Sequence, residues 1–214
     1  AARNIVAGAS LDNNIICTAE KEVVVVASVA DELKRHMAAN NCVEVTGGDI
    51  ERLCGVIFES RQGRKGVINK KWIGKNANLI LREIGIDAPA STRLVICEVD
   101  RDHPLPWTEQ LMPVMPIVRV PNVDDAIDLA LVYEGGRRHT ATMHSRNIEK
   151  LSKMARLVNC SIFIKNGPTF AGLGMGGEGY TSFTIASPTG EGMTSPISFT
   201  RERRCTLVDS FRIV

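Results

Sequence analysis

Apolar residues along the chain follow two rhythms, short unbroken runs and stretches in which they return every three or four positions, and the two alternate. The run "EVVVVAS" at 22–28 predicts a buried strand by its β-branched content, and "VADELKRHMAAN" at 29–40 has the spacing of a surface helix. Helices are predicted again at 48–58 and at about 76–84, the second ending at Gly85, and "TRLVICEV" at 92–99 predicts a strand buried on both faces. The proline-stiffened segment "HPLPWTEQLMPVMP" leads into a strand "IVRV", then a helix introduced by Asn122 or Asp124 and running to Tyr133. A short strand "TATMHS", a helix capped by Asn147 and reaching Val158, and a strand "SIFIK" complete the alternation. From Asn166 the texture changes to a Gly-, Ser-, Thr- and Pro-rich stretch, read as a long ordered loop with one strand at "TSFTIA".

This alternation predicts the α/β class: a largely parallel open sheet flanked by helices, with residues 1–214 forming one domain. Functional groups are expected at the carboxyl ends of the strands. The opening "AARNIVAGAS" has no initiator methionine and reads as the middle of an amphipathic helix, so the chain is expected to be a fragment.

Charge and composition remove several function classes. The 26 basic and 24 acidic residues are well mixed and net to +2, which implies no nucleic-acid surface. The basic knot Arg201, Arg203 and Arg204 reads as a solvated face or a subunit contact. The six cysteines form no CxxC pair in a chain too large to need staples, so reduced thiols, a cytoplasmic location and no structural zinc are expected. No apolar run approaches the roughly 20 residues of a membrane span, and no leader is expected.

Few residues point to chemistry. "GLGMGG", Gly172 to Gly177, satisfies the GxGxxG pattern but follows "NGPTFA" and precedes a strand former, so no helix N-terminus faces a pyrophosphate there; a glycine loop approaching a partner is the competing reading. His36 and His103 receive no chemical role. His139 and His144 frame a short strand, and their spacing puts them on opposite faces, against shared metal binding. His139, after Gly135 and Gly136 at a strand edge, is either a structural histidine or a site residue. Cys97 and Cys160 read as small apolar residues in strands. Cys17 instead precedes a strand, flanked by the amides of Asn13 and Asn14, where a thiolate can be stabilised; nucleophile and structural thiol both remain open. Glu109 sits in the proline-stiffened loop, as a solvated glutamate or one that grips a ligand hydroxyl.

Five stretches together carry a resemblance: "GASLDNNIICTAEKEVVVV", "TEQLMPVMPIVRVPNVDDAIDLA", "EGGRRHTATMHSRNIEKL", "FIKNGPTFAGLGMGGEGYTSFTIASPTGEGMTS" and "FTRERRCTLVDSFRIV". Over almost the whole chain, least at 40–75, they closely resemble the carboxyl half of coenzyme-A-acylating aldehyde dehydrogenases, nearest the propionaldehyde and acetaldehyde enzymes of propanediol and ethanolamine utilisation. The resemblance implies the catalytic domain of that superfamily, with Cys17 as nucleophile and Glu109 on the nicotinamide-side ribose hydroxyls of NAD. It also implies that His139 lies near the thioester, either to help deprotonate the thiol of coenzyme A or to orient the site, while His144 is assigned no role. The implied reaction oxidises a short-chain aldehyde through a thiohemiacetal and thioester on Cys17. The oxyanion is expected to meet the backbone N–H of Cys17 and a side-chain amide from elsewhere.

"NNIIC" in place of the hydrolytic branch's "GQxC" favours acylation. The family's amino-terminal dinucleotide-binding domain has no counterpart here, so the isolated domain is expected to lack full activity. A homo-oligomer, and cargo of a bacterial microcompartment lumen, are implied as well. The alternatives are a cofactor-independent thiol acyltransferase or thioesterase using Cys17 and His139, and a non-catalytic assembly module.

Overall fold

The computed structural model describes residues 1–209; the last five residues of the carboxyl-end motif, 210–214, lie outside the described residues. The chain opens with helix α1 (Ala2–Ala9), whose Ala2, Ile5, Val6 and Ala9 form one buried face. Strand β1 (Val23–Val26) passes directly into helix α2 (Ala27–Ala38), so the strand covers the four valines and is shorter than the predicted segment 22–28. A three-residue strand β2 (Cys42–Glu44), helix α3 (Gly48–Ile57) and a hairpin of β3 (Phe58–Gln62) and β4 (Lys65–Ile68) follow. Helix α4 (Ala77–Glu83), strand β5 (Leu94–Glu98) and strand β6 (Val114–Val120) lead to helix α5 (Val123–Glu134). Asn122 caps α5 by accepting from the backbone N–H of Asp124 and Asp125, and Gly135 ends it in the left-handed region. Strand β7 (Thr140–Met143), helix α6 (Ile148–Val158) capped by Asn147, strand β8 (Ile162–Lys165) and a small hairpin of β9 (Ile185–Ala186) and β10 (Gly192–Met193) complete the order.

Four strands form a parallel sheet in the order β1-β6-β5-β2, and β7 and β8 form a separate parallel pair. Alternation along β5 divides the core. Leu94 and Ile96 pack with Met115, Ile117, α1 and α2 on one face, while Val95 and Cys97 pack with Val114, α3 and α4 on the other. The α/β reading holds, as do the predicted helices.

Five strands depart from expectation. β6 begins at Val114 and runs through Pro116, although proline is normally excluded from a central strand. Val95 and Val99 donate to the carbonyls of Pro113 and Ile117, so alternate rungs of β6 face β5; Pro116 turns its missing donor toward β1, whose pairing starts only at Ile117. β2 and the β3–β4 hairpin escape a sequence reading because β2 is very short and the hairpin is mostly exposed, so neither shows clean alternation. The segment "TSFTIA" yields only the two residues of β9.

Candidate active site

The turn before β1 is built from left-handed backbone. Asp12, Asn13 and Asn14 have φ of 48°, 50° and 68°, a sequence of conformations that side-chain-bearing residues adopt at a cost and that asparagine tolerates best. Side chains hold it in place. Buried Asn14 donates through Nδ2 to the carbonyls of Ala9 (2.7 Å) and Glu20 (2.8 Å). Asn13 Nδ2 donates to the Gly74 carbonyl (2.9 Å) and Asn76 Oδ1 (2.8 Å). Lys21 Nζ donates to the Asn14 carbonyl (2.7 Å) and Oδ1 (2.8 Å). The expectation that these amides serve the thiolate is therefore corrected: their N–H groups are spent on backbone carbonyls and on Asn76, and they fix the turn's shape. At its tip Cys17 is exposed, free of any disulfide.

Glu20 anchors the other end of the turn. It is only 7% exposed, and its carboxylate accepts from the backbone N–H (2.9 Å) and the hydroxyl (2.8 Å) of Thr169. Gly8 makes this possible, since a Cβ there would stand 2.0 Å from Glu20 Oε2. Burial pushes the Glu20 carboxyl up to about 7, against the lowering effect of its hydrogen bonds.

Glu109 and His139 come to the same neighbourhood. Glu109, with a side chain 53% exposed, pairs with Lys21 Nζ at 3.5 Å. Its loop is tied to the turn's support, because Gly74 N–H donates to the Leu111 carbonyl while Asn13 holds the Gly74 carbonyl. His139 immediately precedes β7; its Nδ1 lies 2.7 Å from Thr140 Oγ1. Glu134 shapes the approach by accepting from the backbone N–H of Gly136 (2.9 Å) and His139 (3.1 Å). Burial holds the His139 imidazole below the usual histidine range, with Glu109 and Glu134 pulling it up and Lys21 pushing it down. Lys21 is thus the shared neighbour: burial lowers its own pKa, and Glu109, Cys17 and Glu22 oppose that shift.

These groups stand ahead of strands β1, β6 and β7, at their amino ends, which corrects the expectation of a carboxyl-end site. The reason is local. β1 enters α2 without a loop and Asn122 caps α5 directly after β6, whereas long connections precede both strands, which are neighbours in the sheet. The carboxyl ends of β5 and β6 instead border an open cavity of about 1060 Å³ lined by Glu98, His103 and Arg119.

The remaining candidates sort as follows. Cys97 is fully buried, as expected, but Cys160 precedes β8, is half-buried and donates its thiol hydrogen to the Ile162 carbonyl at 2.9 Å. His144 closes β7, and burial pushes its imidazole down to about 4. No helix opens after Gly172–Gly177; Gly172 and Gly177 let the chain lie against Ile162 and the Ala171 carbonyl of its own fold. Among the described residues no group of His, Cys, Asp and Glu could hold a metal ion, and no helix is long and apolar enough to cross a membrane. A sequence reading gave no role to Glu20, Lys21, Glu134 or Thr169. A charged "EKE" next to a valine run signalled the first two; nothing local signalled the others.

Comparison with known proteins bears on this site. The chain is 52% identical over its whole length to an acetylating acetaldehyde dehydrogenase, EutE, of Salmonella typhimurium, covering 46% of that protein. The crystal structure of Rhodopseudomonas palustris propionaldehyde dehydrogenase, with bound coenzyme A and an acylated cysteine, matches with a TM-score of 0.90 and 46% identity over 96% of this chain and 46% of that one. A propionaldehyde dehydrogenase from the fucose-utilisation microcompartment of Clostridium phytofermentans matches at 0.90 and 40% identity over 98% of this chain and 47% of that one. The chain therefore spans about half the length of the curated relatives it matches. Residues 1–186 match the model of the aldehyde dehydrogenase family, and the chain belongs to that family.

Proposed function

We propose that the chain is the catalytic portion of a CoA-acylating, NAD-dependent aldehyde dehydrogenase acting on a short-chain aldehyde. Cys17 Sγ, as thiolate, bonds to the aldehyde carbon, and the carbonyl oxygen becomes the oxyanion of a thiohemiacetal facing the backbone N–H of Cys17. NAD, when bound, supplies the acceptor for the hydride leaving that carbon, and the residue left on Cys17 is a thioester. His139, held neutral by burial, takes the proton of the incoming coenzyme A thiol; its sulfur attacks the thioester and Cys17 departs as thiolate.

Glu109 suits the ribose hydroxyls. Its carboxylate is half-exposed and its 3.5 Å contact with Lys21 leaves acceptor capacity free. In this reading the dinucleotide platform belongs to sequence beyond these 214 residues. The half-length match to the relatives supports this division. Self-association is part of the proposal, supported by the exposed Tyr180, Phe183, Ile197 and Phe199. A cytoplasmic site or a microcompartment lumen is proposed from the microcompartment relative.

The observation that carries the reading is an exposed thiol on a left-handed turn pinned beside the Glu109 loop and the charge neighbourhood of His139. Limiting propionyl-CoA followed by peptide mass mapping tests it: one acyl group on Cys17 is expected. Labelling spread over exposed Cys205, or none at Cys17, would end the proposal.

A further inference from the structure

Gly74 stands between the Cys17 turn and the Glu109 loop and bonds to both. Its carbonyl accepts from Asn13 Nδ2 at 2.9 Å, its N–H donates to the Leu111 carbonyl at 3.0 Å, and the same Asn13 amide donates to Asn76 Oδ1 at 2.8 Å. Both neighbours are left-handed at the contact: Asn13 has φ of 50°, and Leu111, two residues after Glu109, has φ of 56°. Such backbone persists in side-chain-bearing residues only where the surroundings fix it. The segment that carries Gly74 has a firm base. Asn69 donates through its backbone N–H to the Ile57 carbonyl (2.8 Å) and through Nδ2 to the Val56 carbonyl (3.1 Å), while Trp72 is buried in the core cluster of α3 and α4. Position 74 favours glycine on two counts. Its φ is 68°, and a Cβ there would stand 2.5 Å from Ile15 Cδ1 and 3.3 Å from Ile15 Cγ1. A methyl group must therefore move Ile15, two residues before Cys17, or the turn that carries it.

We infer that Gly74 is a positioning residue for the reaction at Cys17, the point at which the nucleophile's turn and the Glu109 loop are keyed to one rigid segment. This rests on the reading of Cys17 as nucleophile and of Glu109 as the ribose ligand. Attack on the acyl carbon of a bound substrate needs the sulfur at a set distance and angle, whereas a small diffusing reagent needs only an accessible thiol. A residue that sets the turn's place therefore governs the first far more than the second. The two bonds of Gly74 also make the loops interdependent. A change at Asn13 reaches the Glu109 loop although, among the described residues, the Asn13 amide bonds only to Gly74 and Asn76.

Two kinds of measurement on the chain test this: the rates at which Cys17 is acylated by propionyl-CoA and labelled by iodoacetamide, and backbone hydrogen exchange in the peptide 105–114. Gly74→Ala is expected to slow acylation about tenfold and to change labelling by less than about twofold. Ile15→Ala, nearly silent alone, is expected to recover part of the loss in the Gly74→Ala background, because it removes the atoms that the methyl meets. Asn13→Asp keeps the size and the tolerance of left-handed backbone but cannot donate, and is expected to speed exchange in 105–114 severalfold. An unchanged acylation rate in Gly74→Ala, equal slowing of acylation and labelling, or effects of Gly74→Ala and Ile15→Ala that merely multiply overturns the inference. Unaltered exchange in 105–114 in Asn13→Asp overturns it too, and this arm stays decisive should Gly74→Ala fail to fold by circular dichroism. A chain whose Cys17 takes no acyl group, with the exchange arm as expected, would instead defeat the proposed function.

Discussion

Two cysteine–histidine neighbourhoods occur in this domain, and they have opposite characters. Cys54 on α3 lies 3.9 Å from His103 Nε2, yet it is sealed in the core and burial pushes its thiol up to about 11. Cys17 stands exposed on a turn held in place by the amides of Asn13 and Asn14 and the ammonium of Lys21. Proximity of imidazole to sulfur is therefore not what the proposal for Cys17 rests on. Access, and a frame that keeps the sulfur at the surface, are.

The largest effect expected from this contrast is in reagent selectivity. With its thiol pushed up to about 11, Cys54 has an ionised fraction at pH 7 of roughly 10⁻⁴ and must open before reagent reaches it. Limiting iodoacetamide is thus expected to label Cys17 about 10³-fold faster than Cys54 in the native chain, with the gap closing in urea. Cys17→Ser removes the fast phase entirely. Fast native labelling of Cys54 in peptide maps would erase the distinction.

Next in size is His139→Ala. Loss of a positioned general base lowers rates by about 10²-fold, so transfer from acylated Cys17 to coenzyme A should fall by that order while iodoacetamide labelling is preserved. Because the imidazole is held below the usual histidine range, it stays neutral through neutral pH, and the acid limb of the transfer rate should lie below that range too. A limb at or above the ordinary histidine value, in stopped acyl-transfer assays, would contradict the assignment.

How far the sequence exposed this contrast depends on range. Cys17, Asn13, Asn14 and the "EKE" after them lie within a dozen residues, so the thiol and its unusual turn were legible, as was the parallel α/β layering carried by the alternation in β5. The partners of that turn were not. Gly74, Asn76 and Thr169 reach it from distant segments, and no local pattern encodes a contact across such separations. The choice of strand end also escaped, because it depends on β1 entering α2 without a loop, and a valine run does not announce that a helix starts at the next residue.

Glu20 tests whether the frame is as tightly built as the contrast requires. Its carboxyl is raised to about 7 in the fold from about 4.5 unfolded, so its protonated form is favoured by folding; that stability is present below the unfolded value and is lost as pH rises through about 7. Compared with Glu20→Gln, which carries no titration there, the native chain should lose up to about 3 kcal/mol of relative stability between pH 4.5 and 7. Glu22 has the same sign, with burial the main cause of its rise to about 7, while His139 and His144 act oppositely; all three are shared by both proteins and cancel in the difference. Urea midpoints measured across that range should diverge, and a constant difference would show that the carboxyl is ionised throughout.

The smallest expected effect concerns the other neighbourhood. His103 Nδ1 accepts from the Leu105 backbone N–H at 3.3 Å, which leaves the proton on Nε2, pointing at Cys54 Sγ. An N–H directed at a neutral buried sulfur is a weak bond, worth about 0.5–1 kcal/mol. The imidazole borders the cavity at the carboxyl ends of β5 and β6, while Cys17 lies ahead of β1, so the two sites share no partner. Changes at separated sites act independently. His103→Ala should therefore lower stability by about that amount and leave the labelling rate of Cys17 unaltered, since nothing in the turn, the Glu20 anchor or the Lys21 contacts reaches it. A changed Cys17 rate in this variant would mean that the sheet couples its two ends, and the contrast drawn between a sealed and a presented thiol would have to be restated as one connected system.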